Sequence, residues 1–155
     1  MRLRIIAVGH KMPAWVQSAY QEYAKRLPGE FHLELVEIPL GLRRKNEAAD
    51  RAIASEGEAM LKAVGAGDKI IALEVKGKNW STDHLARNLR GWQGDGDNFS
   101  FLIGGPDGLA RPCIEKANLS WSLSGLTLPH PIVRIILIEQ LYRAWTINAG
   151  HPYHR

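Results

Sequence analysis

LRIIAVGHKMPAWVQSAYQEYAKRLPG, residues 3–29, holds one complete strand-to-helix unit, and its reading sets the fold expected of the rest. Leu3 to Val8 is apolar and rich in β-branched residues, the composition of a strand buried on both faces. Pro13 suits the opening turn of a helix, and Trp15, Val16, Ala19, Tyr20, Tyr23 and Leu27 then fall at helical spacing until Pro28 and Gly29 end it. A strand covered on both faces needs helices above and below it, as in a parallel sheet crossed by βα units.

Outward from this unit the alternation continues. His32 to Ile38 predicts a second strand, Asn46 to Val64 a long helix, and Lys69 to Val75 a third strand entered through the turn Gly65 to Asp68. A helix from Ser81 to Trp92, capped by Ser81 or Thr82, leads through the turn-rich Gly91 to Asn98 into a fourth strand, Phe99 to Ile103. Ala110 to Ala117 predicts a short helix, Leu119 to Leu123 a fifth strand, and Pro131 to Asn148 the last helix. No repeat, linker or low-complexity tract interrupts the pattern. The expectation is one α/β domain over 1–155, with a mostly parallel sheet and helices on both faces.

Composition narrows the class. A chain of 155 residues can bury about 70% of the surface it exposes when unfolded, so a conventional core is available. The lone Cys113 excludes an internal disulfide framework and reads as a packing residue, which points to a reducing compartment, the cytoplasm. The opening apolar run, Ile5 to Gly9, is too short for a signal peptide, and no stretch approaches the ~20 apolar residues that span a bilayer. A net charge of +4 favours a polyanionic partner without naming one. The basic run Arg43, Arg44, Lys45 is either a solvated loop or a phosphate contact. Dinucleotide fingerprints, a Walker lysine, metal-ligand spacing and a nucleophile elbow are all missing from the sequence.

In an open α/β sheet, ligands collect at the carboxyl ends of strands. The fourth strand runs into IGGPDGL, residues 103–109, where Gly104 and Gly105 would let a ligand approach the backbone and Pro106, Asp107 and Gly108 shape a turn. On the last helix, Val133, Ile135, Leu137, Ile138, Leu141, Tyr142, Ala144 and Trp145 fill an apolar arc of about 200°, wider than one core contact requires. A second apolar partner is expected there. Arg134 falls inside that arc and must meet a carboxylate, carbonyls, phosphate or solvent, as a structural or a functional residue. Arg143, with Glu139 and Gln140, reads as part of a solvated face. His130, fixed between two prolines at the helix entrance, is either a cap or part of an anion-favouring site. The tail NAGHPYHR, residues 148–155, has no core periodicity, and docking on a neighbouring subunit would be geometrically easy.

LIGGPDG, then WSLSGLTLPHPIVRIILIEQLYRAWTI and the terminal HPYHR, closely resemble the ribosomal RNA large subunit methyltransferase H family of the SPOUT class. The likeness runs from AVGHKMPAWV near the start through KNEAADRAIASEGEAML to the end. It implies a C-terminal trefoil knot, which general topology rules would disfavour. It also implies a homodimer, S-adenosylmethionine as cofactor, and methylation of N3 of a pseudouridine in 23S rRNA on assembled ribosomes. Carried onto matching positions, the cofactor contacts are Leu73, Gly104 and the loop Leu123, Ser124, Gly125, Leu126, Thr127, Leu128. There the backbone would read the adenine edge and the leucines enclose its faces, so loop shape would matter more than the side chains of Ser124 or Thr127.

Around the target base the expected residues are His130, Arg134, Tyr153 and His154, the tail coming from the partner subunit. A histidine suits removal of the imide proton, and Arg134 or Arg155 suits the anionic base or a phosphate. Alternative readings are a SPOUT methyltransferase acting on tRNA or another rRNA base, a non-catalytic ribosome-binding factor, and a flavodoxin-like nucleotide module.

Overall fold

Hydrophobic runs with few polar interruptions become the middle of the sheet. In the computed structural model, which describes residues 1–155, β4 (Phe99–Ile103) is buried along its whole length and β1 (Leu3–Val8) at all but Arg4. They pair in parallel with Leu3 opposite Phe99 and Ala7 opposite Ile103. β2 (Glu34–Ile38) lies outside β1, β3 (Lys69–Asn79) outside β4, and β5 (Leu119–Ser122) at the far edge. The order β2-β1-β4-β3-β5 is parallel throughout, as expected.

The twofold alternation of strand side chains divides the core into two layers. Leu3, Ile5, Ala7, Ile71, Phe99, Phe101 and Ile103 meet Tyr20 of α1 (Ala14–Ala24), Leu85 and Leu89 of α3 (Thr82–Asp95), and Leu137 and Leu141 of α5 (His130–Ala149). On the other face Ile6, Val8 and Leu102 meet Met60 of α2 (Asp50–Ala63) and Cys113 of α4 (Arg111–Lys116). Cys113 is a buried packing residue, as its sequence context suggests. No helix is long and apolar enough to cross a membrane.

α5 lies between α1 and α3, and none of its residues from Pro131 to Asn148 is exposed. The second partner expected for its wide apolar arc is therefore supplied within the chain. Arg143 corrects the reading of a solvated face. It pairs with Glu139, Nε to Oε1 2.8 Å, and lies over the Tyr153 ring.

Several elements depart from their expected boundaries: α3 runs on to Asp95 through part of the expected turn, α1 stops at Ala24, β2 starts at Glu34, and α2 and β3 differ most. α2 starts at Asp50 rather than Asn46, and in the segment before it Gly41 and Arg43 are tied to Glu56. β3 continues past Val75 to Asn79 through an irregularity. Leu73 and Lys78 both register with Trp121, so Glu74 to Gly77 leave the ladder between them. Such an insertion bends the strand and re-aims its side chains. Gly77 permits it: a Cβ there would lie 2.7 Å from Ser120 C and Trp121 N.

Gly77→Ala should therefore destabilise the fold by about 2 kcal/mol, since backbone must move to admit the methyl. Gly125→Ala, which adds a Cβ in open space, should be neutral. Urea unfolding midpoints of the two variants would check the contrast.

Candidate active site

Adjacent strands β3 and β4 send their chains to opposite faces of the sheet, β3 into α3 and β4 towards α4. Where neighbouring connections diverge, a crevice opens beyond the carboxyl ends of the strands. Here it holds a cavity of about 580 Å³ walled by Leu73 and Glu74 of β3, Ile103 and Gly104 after β4, Thr127 and Leu128 of the loop after β5, and His130 and Val133 of α5. A smaller lobe of about 70 Å³ shares Leu73, Glu74, Val75, Leu128 and Val133 and adds Leu123, Ser124 and Leu126. Residues 73, 104, 123, 124, 126, 127 and 128, far apart in sequence, thus converge on one cleft. Gly125 lies on the exposed outside of its loop.

Local chemistry sets the shape of each wall. Ser122 Oγ donates to the Ser124 carbonyl at 2.9 Å, and Leu126 N–H donates to Ser124 Oγ at 3.0 Å. Ser124 thus gives the loop its shape through its side chain, whose hydroxyl folds it. In the glycine turn, Gly108 N–H donates to the Gly105 carbonyl at 3.0 Å. A Cβ on Gly104 would fall 2.5 Å from Gly108 C, so the turn itself demands the glycine, independently of any ligand.

An ion-pair network holds this turn from outside. Arg43 Nε donates to Asp107 Oδ2 at 2.8 Å, while its Nη1 reaches Glu56 Oε2 at 2.7 Å. Glu56 is only 3% exposed and also accepts Gly41 N–H at 2.8 Å. The two carboxylates raise the guanidinium pKa above its already high ordinary value. Arg43 is thus a pin between α2 and the glycine turn, neither solvated nor free for phosphate, while Arg44 and Lys45 stay exposed. The charge pattern of residues 43–45 gave no sign of this, since Glu56 and Asp107 lie 13 and 64 residues away.

His130 opens α5 with Pro129 before it. Its ring packs on Gly9, where an added Cβ would come within 3.3 Å of His130 Cε1, and its Nδ1 is buried with no partner. Burial first, and then the Arg134 charge, hold the imidazole pKa below its ordinary value. Arg134 is 2% exposed and does not line the cleft; it borders a separate cavity of about 120 Å³ with Met12, Tyr20 and Glu37, bonded to Glu37 Oε2 at 2.6 Å and to the Gly9 carbonyl at 3.1 Å.

The tail docks at the opposite end of α5. Tyr153 Oη donates to Glu139 Oε1 at 3.1 Å, its ring lies 4.7 Å from Tyr142, and burial with the Glu139 charge pushes its pKa up to about 12. His154 Nδ1 is 3.2 Å from Thr146 Oγ1. Twelve residues of helix separate His130 from Tyr142, about 18 Å of rise. The chain by itself brings His130 to the cleft and leaves Tyr153 and His154 remote from it. No group of three or more His, Cys, Asp or Glu is placed to hold a metal ion.

A family model described as "Predicted SPOUT methyltransferase" matches residues 1–154. Among similar proteins, "Ribosomal RNA large subunit methyltransferase H" of Marinomonas sp. (strain MWYL1) is 60% identical over 155 residues, all of both chains. Its namesake in Saccharophagus degradans is 59% identical over the same full lengths. The Hahella chejuensis protein of that name is 53% identical, covering all of this chain and 99% of its own. A solved structure, "a probable methylase family protein from Haemophilus influenzae Rd KW20", superposes with a TM-score of 0.57 at 10% identity, covering 99% of this chain and 70% of that one, which supports the fold alone. The family model over residues 1–154 and relatives 53–60% identical along the full chain lead to one conclusion: the chain is a methyltransferase and belongs to the SPOUT family.

Proposed function

We propose that this single-domain protein methylates N3 of a pseudouridine in 23S rRNA on assembled ribosomes in the cytoplasm, using S-adenosylmethionine, as a knotted homodimer. The convergence of Leu73, Gly104, Leu128 and His130 on one cleft is the observation that carries this reading. The cleft fits the cofactor: about 580 Å³ lies within the range of small-molecule sites, and its walls combine leucines with backbone. When bound, S-adenosylmethionine supplies a methyl carbon activated by the sulfonium. The names of the full-length relatives support the rRNA substrate. The match to the SPOUT family model supports a C-terminal trefoil knot.

The chain's own residues then have separable tasks. Leu73, Gly104, Leu123, Ser124, Gly125, Leu126, Thr127 and Leu128 bind and orient, with Leu123, Leu126 and Leu128 excluding water. His130 accepts the N3 proton of the base; its lowered pKa keeps the imidazole neutral, hence able to accept, at physiological pH. Arg134 positions His130 through the Gly9 carbonyl, and its charge adds to the burial that keeps the imidazole neutral. Tyr153 and His154 reach the base from a second copy, because in one chain they dock beside Glu139 and Thr146, about 14 and 24 Å along the helix from their own His130.

Mass spectrometry of rRNA from cells lacking the gene should show one N3-methylated pseudouridine lost and regained on complementation; an unchanged pattern sinks the proposal. Removing residues 150–155 should leave cofactor affinity within about twofold and abolish transfer, and retained turnover would refute the two-chain site. Histidine is active when neutral, so the acid limb of kcat should fall below the ordinary value of about 6.5. That limb should be absent from the residual activity of His130→Ala.

A further inference from the structure

Glu74 is the carboxylate of the cleft that has no partner inside the chain. It lines both lobes, is half-buried, and makes no side-chain hydrogen bond or ion pair. The cavity's other carboxylate, Asp107, is engaged by Arg43 at 2.8 Å. Glu74 owes its place to the irregularity in β3, since it is the first residue after Leu73 to leave the ladder with β5. The nearby Lys76 and Lys78 are exposed and form no ion pair with it. The remaining walls are apolar side chains, backbone and the polar Ser124, Thr127 and His130, with no further carboxylate.

Resting on the cofactor reading above, we infer that Glu74 biases the cleft towards the cationic cofactor and against its neutral product. Methyl transfer turns a positively charged sulfonium into a neutral thioether, so the two ligands differ by one methyl group and one unit of charge. One methyl against apolar walls discriminates poorly, whereas a carboxylate with no competing partner attracts the cation and does nothing for the thioether. The charge that draws in the methyl donor gives no such attraction to the thioether of S-adenosylhomocysteine after transfer. Its half-buried position leaves it partly screened by solvent, so the effect is moderate.

Calorimetric titration of the full chain and of Glu74→Gln, each with S-adenosylmethionine and S-adenosylhomocysteine, tests this. The amide keeps the side chain's shape and disturbs no internal contact, so the variant should fold. S-adenosylmethionine should bind the variant about fivefold more weakly, with S-adenosylhomocysteine unchanged within about twofold, moving the ratio of affinities towards the product. Parallel losses for both ligands, or no loss for either, would overturn the inference. Failure of the unsubstituted protein to bind either ligand would instead overturn the cofactor reading, and this inference with it.

Discussion

Arg134 is the tie on which the rest of the structure depends. Apolar contacts alone would hold α5 against the sheet without fixing its axial position, because leucine and isoleucine surfaces slide past one another at little cost. A buried guanidinium does not slide. It reaches Glu37 at the end of β2 and the carbonyl of Gly9 beyond β1, spanning 97 and 125 residues of sequence. Loss of such a partner leaves an uncompensated buried charge, a penalty on the order of 3–5 kcal/mol. That penalty pins the first turns of α5 to the carboxyl ends of β1 and β2. His130, one turn earlier, is thereby pressed onto Gly9 with its pKa held down by burial and by the same arginine.

The cleft follows from two departures from regularity. β3 and β4 send their chains to opposite faces, which opens the crevice, and β3 releases Glu74 to Gly77 from its ladder, which gives the crevice a polar wall. Both walls are braced by short-range chemistry. Ser124 folds the loop after β5 from within, and the Arg43 pin to Glu56 and Asp107 holds the glycine turn from the far face of the sheet. The cleft thus has a rigid frame on each side. The docked tail sits at the other end of α5, so one chain holds both halves of the constellation on a single rigid rod without bringing them together.

Much of this was legible beforehand. The continuous apolar runs of β1 and β4 predicted strands buried on both faces, and the βα alternation predicted a parallel sheet. The Gly104 turn and the loop 123–128 were placed on the cleft by resemblance, and all but Gly125 line it. Glu74, Glu37, Glu56 and the function of Arg43 were not legible, because a single glutamate on a strand or helix carries no periodic signal. Its meaning comes from a partner, or the lack of one, in space. The wide arc on α5 was read correctly as needing a second partner, but periodicity cannot say whether that partner belongs to the same chain.

Local sequence determined what each segment is: which stretches are strands, where Pro13, Ser81 and Pro131 let helices begin, and that Arg134 falls on an apolar face. These depend on residues within one or two turns of each other, where side-chain spacing and backbone propensity act directly. The full-length family pattern added which motifs belong to a site. Only the tertiary structure decided how charges are paired, that β3 buckles to free Glu74, and that α5 is closed in by α1 and α3. Electrostatic pairing and steric closure act over a few ångströms of space irrespective of chain separation, so they exist only once the sheet has brought distant segments together.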